Sequence, residues 1–150
     1  GRLVDAVTPG LLVAQIIARF GCIVNGDAYG GITSLPWGFI YINPDASIPP
    51  SLFGLLTHPY PIYEMIWNGL VLLTVLKLER YFSKTGLVFF SYLTLYSLGR
   101  FILTFVRQES LILGGFQQAQ LVAILAVAAS ILSMVYIFTR QRTPKEVAQK

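Results

Sequence analysis

The stretch GLVFFSYLTLYSLGRFILTF, at positions 86–105, has only one charged residue, Arg100. A membrane-spanning helix needs roughly 17–25 mostly apolar residues, so this stretch predicts a transmembrane helix. The arginine inside it is energetically unfavourable, because placing a guanidinium in hydrocarbon costs at least ~2.5–3.5 kcal/mol on insertion scales. Charged residues in such positions usually face a bundle interior or a polar cavity. The stretch therefore predicts a helical bundle with a polar site inside it.

A second arginine, Arg19, interrupts the apolar run LLVAQIIA at positions 11–18. Arginine cannot shed its charge, and its planar fork of donors suits phosphate and carboxylate groups. A membrane protein with two such residues is a candidate binder of an anionic lipid or substrate. The alternative for either arginine alone is snorkelling, in which the side chain only reaches up to the membrane interface.

Composition supports the membrane class. Hydrophobic residues make up 55% of the chain and charged residues 12%, whereas soluble domains carry about 25% charged residues. The apolar blocks predict an all-α, polytopic membrane bundle that forms one domain over residues 1–150. Pro9 predicts the start of the first helix, and Gly115 with the glutamines that follow it predicts the start of the fourth. The predicted spans are 11–24, 62–78, 86–105 and 119–139.

Other classes of function are disfavoured. The net charge of +4 is small and dispersed, so no nucleic-acid partner is expected. The single cysteine, Cys22, excludes an internal disulfide, and one histidine gives no metal-ligand cluster. The chain opens without the basic and apolar regions of a signal peptide.

The basic residues predict the orientation of the spans. With four crossings, three regions share one side of the membrane, and the positive-inside rule makes that side the cytoplasm. The carboxy terminus is then cytoplasmic. The basic residues of these regions are Arg2, Lys77, Arg80, Lys84, Arg140, Arg142, Lys145 and Lys150.

This orientation predicts that charged side chains from three helices meet at one depth. Arg19 and Arg100 each lie five residues before the outer end of their span, which places both about 7–8 Å below the outer hydrocarbon boundary. Glu64 lies near the outer entry of the second span. Tyr96 lies one turn below Arg100 on the same face.

The segment 26–61 is rich in glycine and proline and predicts a long structured loop on the outer surface. Its aromatic residues suit the headgroup level, and an interfacial belt without chemistry is the simpler interpretation for them. Asn25, Asp27 and Tyr29 stand out because they directly follow the helix of Arg19.

Three motifs, in order, resemble those of the prolipoprotein diacylglyceryl transferase family. ARFGCIVNGDAYGG at 18–31 is similar to the family signature, close to G-R-x-G-N-F-x-N-G-E-x-x-G. HPYPIYE at 58–64 resembles H-P-(S/T)-(Q/P)-L-Y-E, and YSLGRFILTFVR at 96–107 resembles the spacing of a tyrosine and two arginines in a late span. AQLV at 119–122 looks like the start of the last helix.

The resemblance implies an integral enzyme of the bacterial inner membrane. It would move the diacylglyceryl group from phosphatidylglycerol to the lipobox cysteine of a preprolipoprotein, releasing glycerol phosphate without a redox or metal cofactor. Further spans, with a histidine–glycine element, precede this region in the family, so we expect the chain to be the carboxy-terminal portion of such an enzyme.

Carried over by position, the resemblance implies a set of site residues. Arg19 and Arg100 are the candidate phosphate-binding catalytic residues. Glu64 is a further candidate catalytic residue, which would orient an arginine rather than act as a base. His58 is interpreted as a loop residue beside Pro59 rather than as a catalytic base. The candidate substrate-binding residues are Asn25, Gly26, Asp27, Gly30, His58, Tyr63, Tyr96 and Arg107.

The chain departs from the family pattern at Ala18, Cys22, Asp27 and Thr104. Cys22 is interpreted as a small buried apolar residue. These departures leave open an alternative, a non-catalytic scaffold subunit derived from the family within a larger membrane complex. A small transporter or channel is a weaker alternative, because no inverted repeat is visible.

Overall fold

Four long helices account for most of the fold. The computed structural model describes residues 1–82, 84–107, 111–113 and 116–140. Within them lie α1 (Arg2–Asn25), α2 (Tyr60–Glu79), α3 (Leu87–Thr104) and α4 (Gln118–Arg140). Each helix is long and apolar enough to cross a bilayer. The all-α bundle is confirmed, and the chain is a multi-pass membrane protein. Four residues used in the sequence analysis lie outside the described ranges, namely Gly115, Arg142, Lys145 and Lys150.

The first helix begins earlier than the sequence predicts. α1 starts at Arg2, and Pro9 lies inside the helix rather than at its start. Proline removes one backbone hydrogen bond, which disfavours a helix interior. However, the residues before Pro9 are largely apolar, and in lipid every backbone polar group must be satisfied within the protein. Continuing the helix is the arrangement that meets this condition, and it extends α1 to 24 residues.

The helices pack in chain order. α2 contacts α1 and α3, and α4 contacts α3. The central core joins the first three helices and consists of Leu12, Val71, Val75, Val88 and Tyr92. Beside this core the side-chain amide of Gln15, which is partly buried, donates a hydrogen bond to the Tyr92 hydroxyl at 2.8 Å. This arrangement leaves most of α4 facing outward, as expected for a helix in contact with lipid.

The connection between α1 and α2 is compact and contains a small sheet. Strand β1 (Phe39–Ile40) pairs antiparallel with β2 (Leu56–Thr57), and Ile32 bridges to Thr57. The connection is therefore structured, as predicted, although the strands themselves were not. A second antiparallel pair, β3 (Leu111–Leu113) and β4 (Phe116–Gln117), lies between α3 and α4.

Candidate functional site

Glu64 lies between the two arginines. Its Oε2 is 2.7 Å from Nε of Arg19, and its Oε1 is 2.5 Å from an Nη atom of Arg100. The Glu64 side chain is 4% exposed, against 20% for Arg19 and 24% for Arg100. Each residue comes from a different helix, α1, α2 or α3. The structure thus brings together the three side chains that the depth comparison predicted to meet.

Tyr60 completes this cluster. It is fully buried one turn before Glu64 on α2. Its hydroxyl donates a hydrogen bond to Glu64 Oε1 at 3.2 Å. The same hydroxyl accepts a hydrogen bond from an Nη atom of Arg100 at 3.1 Å. Tyr60 therefore connects the carboxylate to the guanidinium of Arg100 and fixes their relative position.

The cluster carries more positive than negative charge. Two guanidinium groups, which stay protonated at any physiological pH, face one carboxylate. A buried charge is tolerated when opposite charges and hydrogen bonds compensate it, and Glu64 has both. One unit of positive charge remains available for an anion. Both arginines bind a partner within the bundle, which disfavours the snorkelling alternative.

Cys22 is also part of the surroundings of Arg19. Its sulfur accepts a hydrogen bond from an Nη atom of Arg19, with an N–S distance of 3.6 Å. The side chain is half-buried, so its interpretation as a buried apolar residue was wrong. One turn of helix places residue 22 beside residue 19, and the guanidinium that points toward Glu64 passes close to the sulfur.

Arg107 lies on the other side of Tyr60. The carbon of its guanidinium is 5.4 Å from the centre of the Tyr60 ring, within the distance of a cation–π interaction. The backbone at the end of α3 is held by the buried Gln117, whose side-chain amide donates to the carbonyl groups of Thr104 and Arg107 at 3.2 and 3.1 Å. The Thr104 hydroxyl donates to the Arg100 carbonyl. Arg107 thus adds a cation next to the cluster.

A cleft of about 330 Å³ opens between α3 and α4 beside Arg100. Tyr96 and Arg100 both line it, as their spacing of four residues predicts. The wall from α4 is made mainly of small side chains, so the cleft has a polar end and an apolar end. Its lining residues are Tyr96, Ser97, Arg100, Gln118, Ala119, Val122, Ala123 and Ala126.

His58 and Tyr63 form a second polar group at the start of α2. His58 Nδ1 lies 3.2 Å from the Tyr63 hydroxyl, which also accepts a hydrogen bond from the Trp37 indole at 3.0 Å. Gly30 packs directly on this group, because its backbone N–H donates to the His58 carbonyl at 3.1 Å. A Cβ on Gly30 would lie 2.6 Å from His58 Cβ, so only glycine fits there. These contacts hold the α1–α2 connection against α2.

Asn25 and Asp27 are exposed. No hydrogen bond or ion pair joins their side chains to the arginine cluster within the described part of the chain. Between them, Gly26 ends α1 in a left-handed conformation, with φ of 69°, and packs against Tyr41. Burial raises the pKa of the Tyr41 hydroxyl above its usual value, and the nearby Asp27 raises it further. This segment therefore adjoins the arginine cluster without being part of it.

Sequence reasoning missed Tyr60 although a signal was present. Tyr60 and Glu64 are four residues apart, which places them on one face of a helix. The motif at 58–64 drew attention to Tyr63 instead, whose hydroxyl contacts His58 and Trp37.

The fold and the site define a class, a polytopic α-helical membrane protein in which two partly exposed arginines meet on a buried glutamate. Residues 1–136 match the family model of prolipoprotein diacylglyceryl transferase. The chain belongs to this family.

Relatives named phosphatidylglycerol–prolipoprotein diacylglyceryl transferase agree with this assignment. The one from Clostridioides difficile (strain 630) is 33% identical over 141 residues, 94% of this chain and 52% of the relative. The one from Synechococcus elongatus is 37% identical over 157 aligned residues, 99% of this chain and 53% of the relative. The one from Thermosynechococcus vestitus is 39% identical over 130 residues, which are 85% of this chain and 48% of the relative. The chain thus spans about half the length of the curated relatives it matches.

Proposed function

We propose that this chain supplies the phosphate-binding site of a diacylglyceryl transferase, which moves the diacylglyceryl group of phosphatidylglycerol to a prolipoprotein cysteine. The observation that carries the proposal is the meeting of Arg19 and Arg100 on Glu64. The names of the relatives supply the two substrates. A phosphodiester carries one negative charge, which matches the single positive charge left over in the cluster.

The proposed reaction balances without oxidation or reduction. The cysteine sulfur attacks the glyceryl carbon that bears the phosphate oxygen. A C–S bond forms, and the C–O bond breaks with its electron pair going to oxygen, so glycerol phosphate leaves. The proton lost by the thiol balances the second negative charge on the phosphate. Charge therefore grows on the phosphate as the reaction proceeds.

Arg19 and Arg100 are suited to stabilise this growing charge. Fixed cations in a site of low dielectric stabilise a transition state more than they would in water, and losing one such donor typically costs ~10²–10³ in kcat. Glu64 pairs with a cation at both oxygens. We therefore assign Glu64 as a positioning residue for the arginines rather than as the base that activates the thiol.

The lipid donor fits the cleft between α3 and α4. Arg100 and Tyr96 at its polar end would contact the headgroup, and the alanines of α4 would contact the acyl chains. The outer connection, with Asn25, Gly26, Asp27, Gly30, His58 and Tyr63, is proposed to contact the substrates at the headgroup level. Arg107 would add positive charge near the leaving group.

The proposed setting is the bacterial inner membrane. The basic residues that the structure describes at one end of the bundle, such as Arg80 and Lys84, support a cytoplasmic location for that end and for the carboxy terminus. The arginine cluster would then lie toward the outer leaflet, where the lipobox of a preprolipoprotein arrives. We treat residues 1–150 as one membrane domain. None of the names of the relatives cited points to the scaffold alternative.

The test is transfer activity in the full-length gene product, reconstituted with phosphatidylglycerol and a lipobox peptide. Replacing Arg19 with Ala should reduce the release of glycerol phosphate by ~100-fold or more. Arg80→Ala serves as the matched control, because Arg80 is an exposed arginine at the other end of α2. Unchanged release in Arg19→Ala would remove the proposal.

A further inference from the structure

Trp67 of α2 packs directly against Gly99 of α3. A Cβ built on Gly99 would lie 1.9 Å from Nε1 of Trp67 and 2.2 Å from its Cδ1. Any side chain at position 99 would therefore overlap the indole ring. Small residues at helix crossings of membrane proteins allow such close approach of one helix to another.

The indole is also fixed in orientation. Its N–H donates a hydrogen bond to the backbone carbonyl of Leu95 on α3 at 3.0 Å. Leu95 lies one turn before Gly99, so the ring lies along the α3 surface that Gly99 leaves open. The ring is thus held in place by its packing and by a hydrogen bond.

This contact adjoins the arginine cluster directly. Trp67 follows Glu64 by three residues on α2, and Gly99 immediately precedes Arg100 on α3. The four residues line a common gap between the helices, together with Asn68, Tyr96 and Leu103. The distance between the α2 and α3 backbones at this crossing therefore determines how closely Glu64 can approach Arg100.

We propose that Trp67 and Gly99 are positioning residues for the transfer reaction. Their contact sets the α2–α3 separation that allows Glu64 to hold the Arg100 guanidinium at 2.5 Å. Neither residue touches the substrate in this proposal, which rests on the function proposed above. A misplacement of a catalytic group by about 1 Å can cost ~100-fold in rate, so a change at this crossing should appear mainly in kcat.

The first experiment compares two identical substitutions in the full-length gene product. Gly99→Ala inserts a methyl group into the indole position, whereas Gly69→Ala on α2 adds one where nothing lies within 4 Å. With phosphatidylglycerol and a lipobox peptide, Gly99→Ala should lower kcat by about tenfold or more, and Gly69→Ala should leave it within about twofold. Equal activity of the two variants would overturn the proposal.

The second experiment tests whether the two residues act together. Trp67→Leu removes the ring that the new methyl group would meet, so the double variant Gly99→Ala/Trp67→Leu should lose less than the product of the two single losses. Fully multiplicative losses would contradict the proposal. If the Gly99→Ala protein does not accumulate, Trp67→Phe tests the proposal instead. This variant keeps an aromatic ring at position 67 but removes the hydrogen bond to the Leu95 carbonyl. A kcat equal to that of the unaltered protein would then overturn the proposal.

A spectroscopic measurement separates this proposal from the proposed function. In protein labelled with 5-fluorotryptophan, the ¹⁹F resonance that is lost in Trp67→Phe belongs to Trp67. Gly99→Ala should move that resonance and Gly69→Ala should not. If the unaltered protein releases no glycerol phosphate, the proposed function fails while this result still tests the contact. An unmoved resonance in Gly99→Ala would show that the contact does not exist.

Discussion

A hydrogen bond from the Gly86 backbone N–H to Asp5 Oδ2, at 2.6 Å, sets the height of α1 relative to α3. The other oxygen, Asp5 Oδ1, accepts from the N–H of Phe89 at 2.9 Å. Arg19 lies 14 residues after Asp5, and Arg100 lies 14 residues after Gly86. At 1.5 Å per residue both arginines are then about 21 Å above the same contact. This equality places the two guanidinium groups at the level of Glu64.

Removing the Asp5 carboxylate should therefore loosen the register of α1 against α3. A carboxylate at a helix N-terminus typically contributes ~0.5–2 kcal/mol, so we expect Asp5→Ala to lose stability in this range. Transfer activity should fall as well, because Arg19 is no longer held at the height of Arg100. Asp5→Asn keeps one acceptor oxygen and should lie between Asp5→Ala and the unaltered protein. Thermal unfolding in detergent and glycerol phosphate release measure the two effects. Full activity of Asp5→Ala would argue against this role.

Replacing Glu64 with Gln should make the protein depend on an external anion. The change keeps the size of the side chain but leaves two half-buried arginine charges without a carboxylate. Breaking a fully buried ion pair on one side costs ~3–5 kcal/mol, and the partial exposure of the arginines makes the expected loss here smaller. Phosphatidylglycerol should restore part of the lost thermal stability, since its phosphate supplies the missing negative charge. The shift in melting temperature on adding phosphatidylglycerol should thus be larger in Glu64→Gln than in the unaltered protein. Equal shifts would show that Glu64 and the phosphate do not share the arginines.

Gly30→Ala should loosen the α1–α2 connection where Gly30 packs on His58, just before α2 begins. The added Cβ would lie 2.6 Å from His58 Cβ and 2.9 Å from the His58 carbonyl oxygen, so the backbone has to move. Overpacking of this kind costs about 1–3 kcal/mol. The control is Gly21→Ala in α1, where a Cβ meets nothing within 4 Å. We expect faster proteolysis of the connection in Gly30→Ala than in Gly21→Ala. Equal rates would contradict the packing described for Gly30.

We expect the α1–α2 connection to lose stability at high pH because of the Tyr41 hydroxyl. Its pKa is raised in the folded protein, because burial and Asp27 disfavour the phenolate. A raised pKa gives stability that is complete below the unfolded value of about 10 and is lost as the pH rises through the folded value. Among the described residues, no group hydrogen-bonds this hydroxyl. Tyr41→Phe should therefore not destabilise the connection at neutral pH and should flatten its pH dependence above pH 10. Proteolysis rates across this pH range test the prediction, and an unchanged pH dependence would refute it.

The sequence predicted the helices and the meeting of the three charged side chains for a physical reason. Long apolar runs define span ends, so the depths of Arg19, Glu64 and Arg100 follow from counting residues along each helix. The position of Tyr60 beside Glu64 could have been predicted in the same way, since the two residues are one turn apart on α2.

Contacts between distant segments were beyond this reasoning. Asp5 caps a helix that begins more than 80 residues later, and Trp67 packs on a glycine of another helix. Neither pair has a sequence spacing that could reveal it. The interior position of Pro9 likewise depends on the surroundings of α1, because the lipid environment keeps the helix continuous where proline alone predicts a start.

The most direct test of the cationic site is to compare two lipids that differ only in the phosphate headgroup. Binding of phosphatidylglycerol and of diacylglycerol with the same acyl chains is measured for the full-length gene product and for Arg100→Gln. Losing a charge-assisted contact of ~1.5–3 kcal/mol should weaken phosphatidylglycerol binding by about 10-fold or more. Diacylglycerol binding should not change. If both lipids bind Arg100→Gln as tightly as they bind the unaltered protein, Arg100 does not hold the phosphate and the account of the site is wrong.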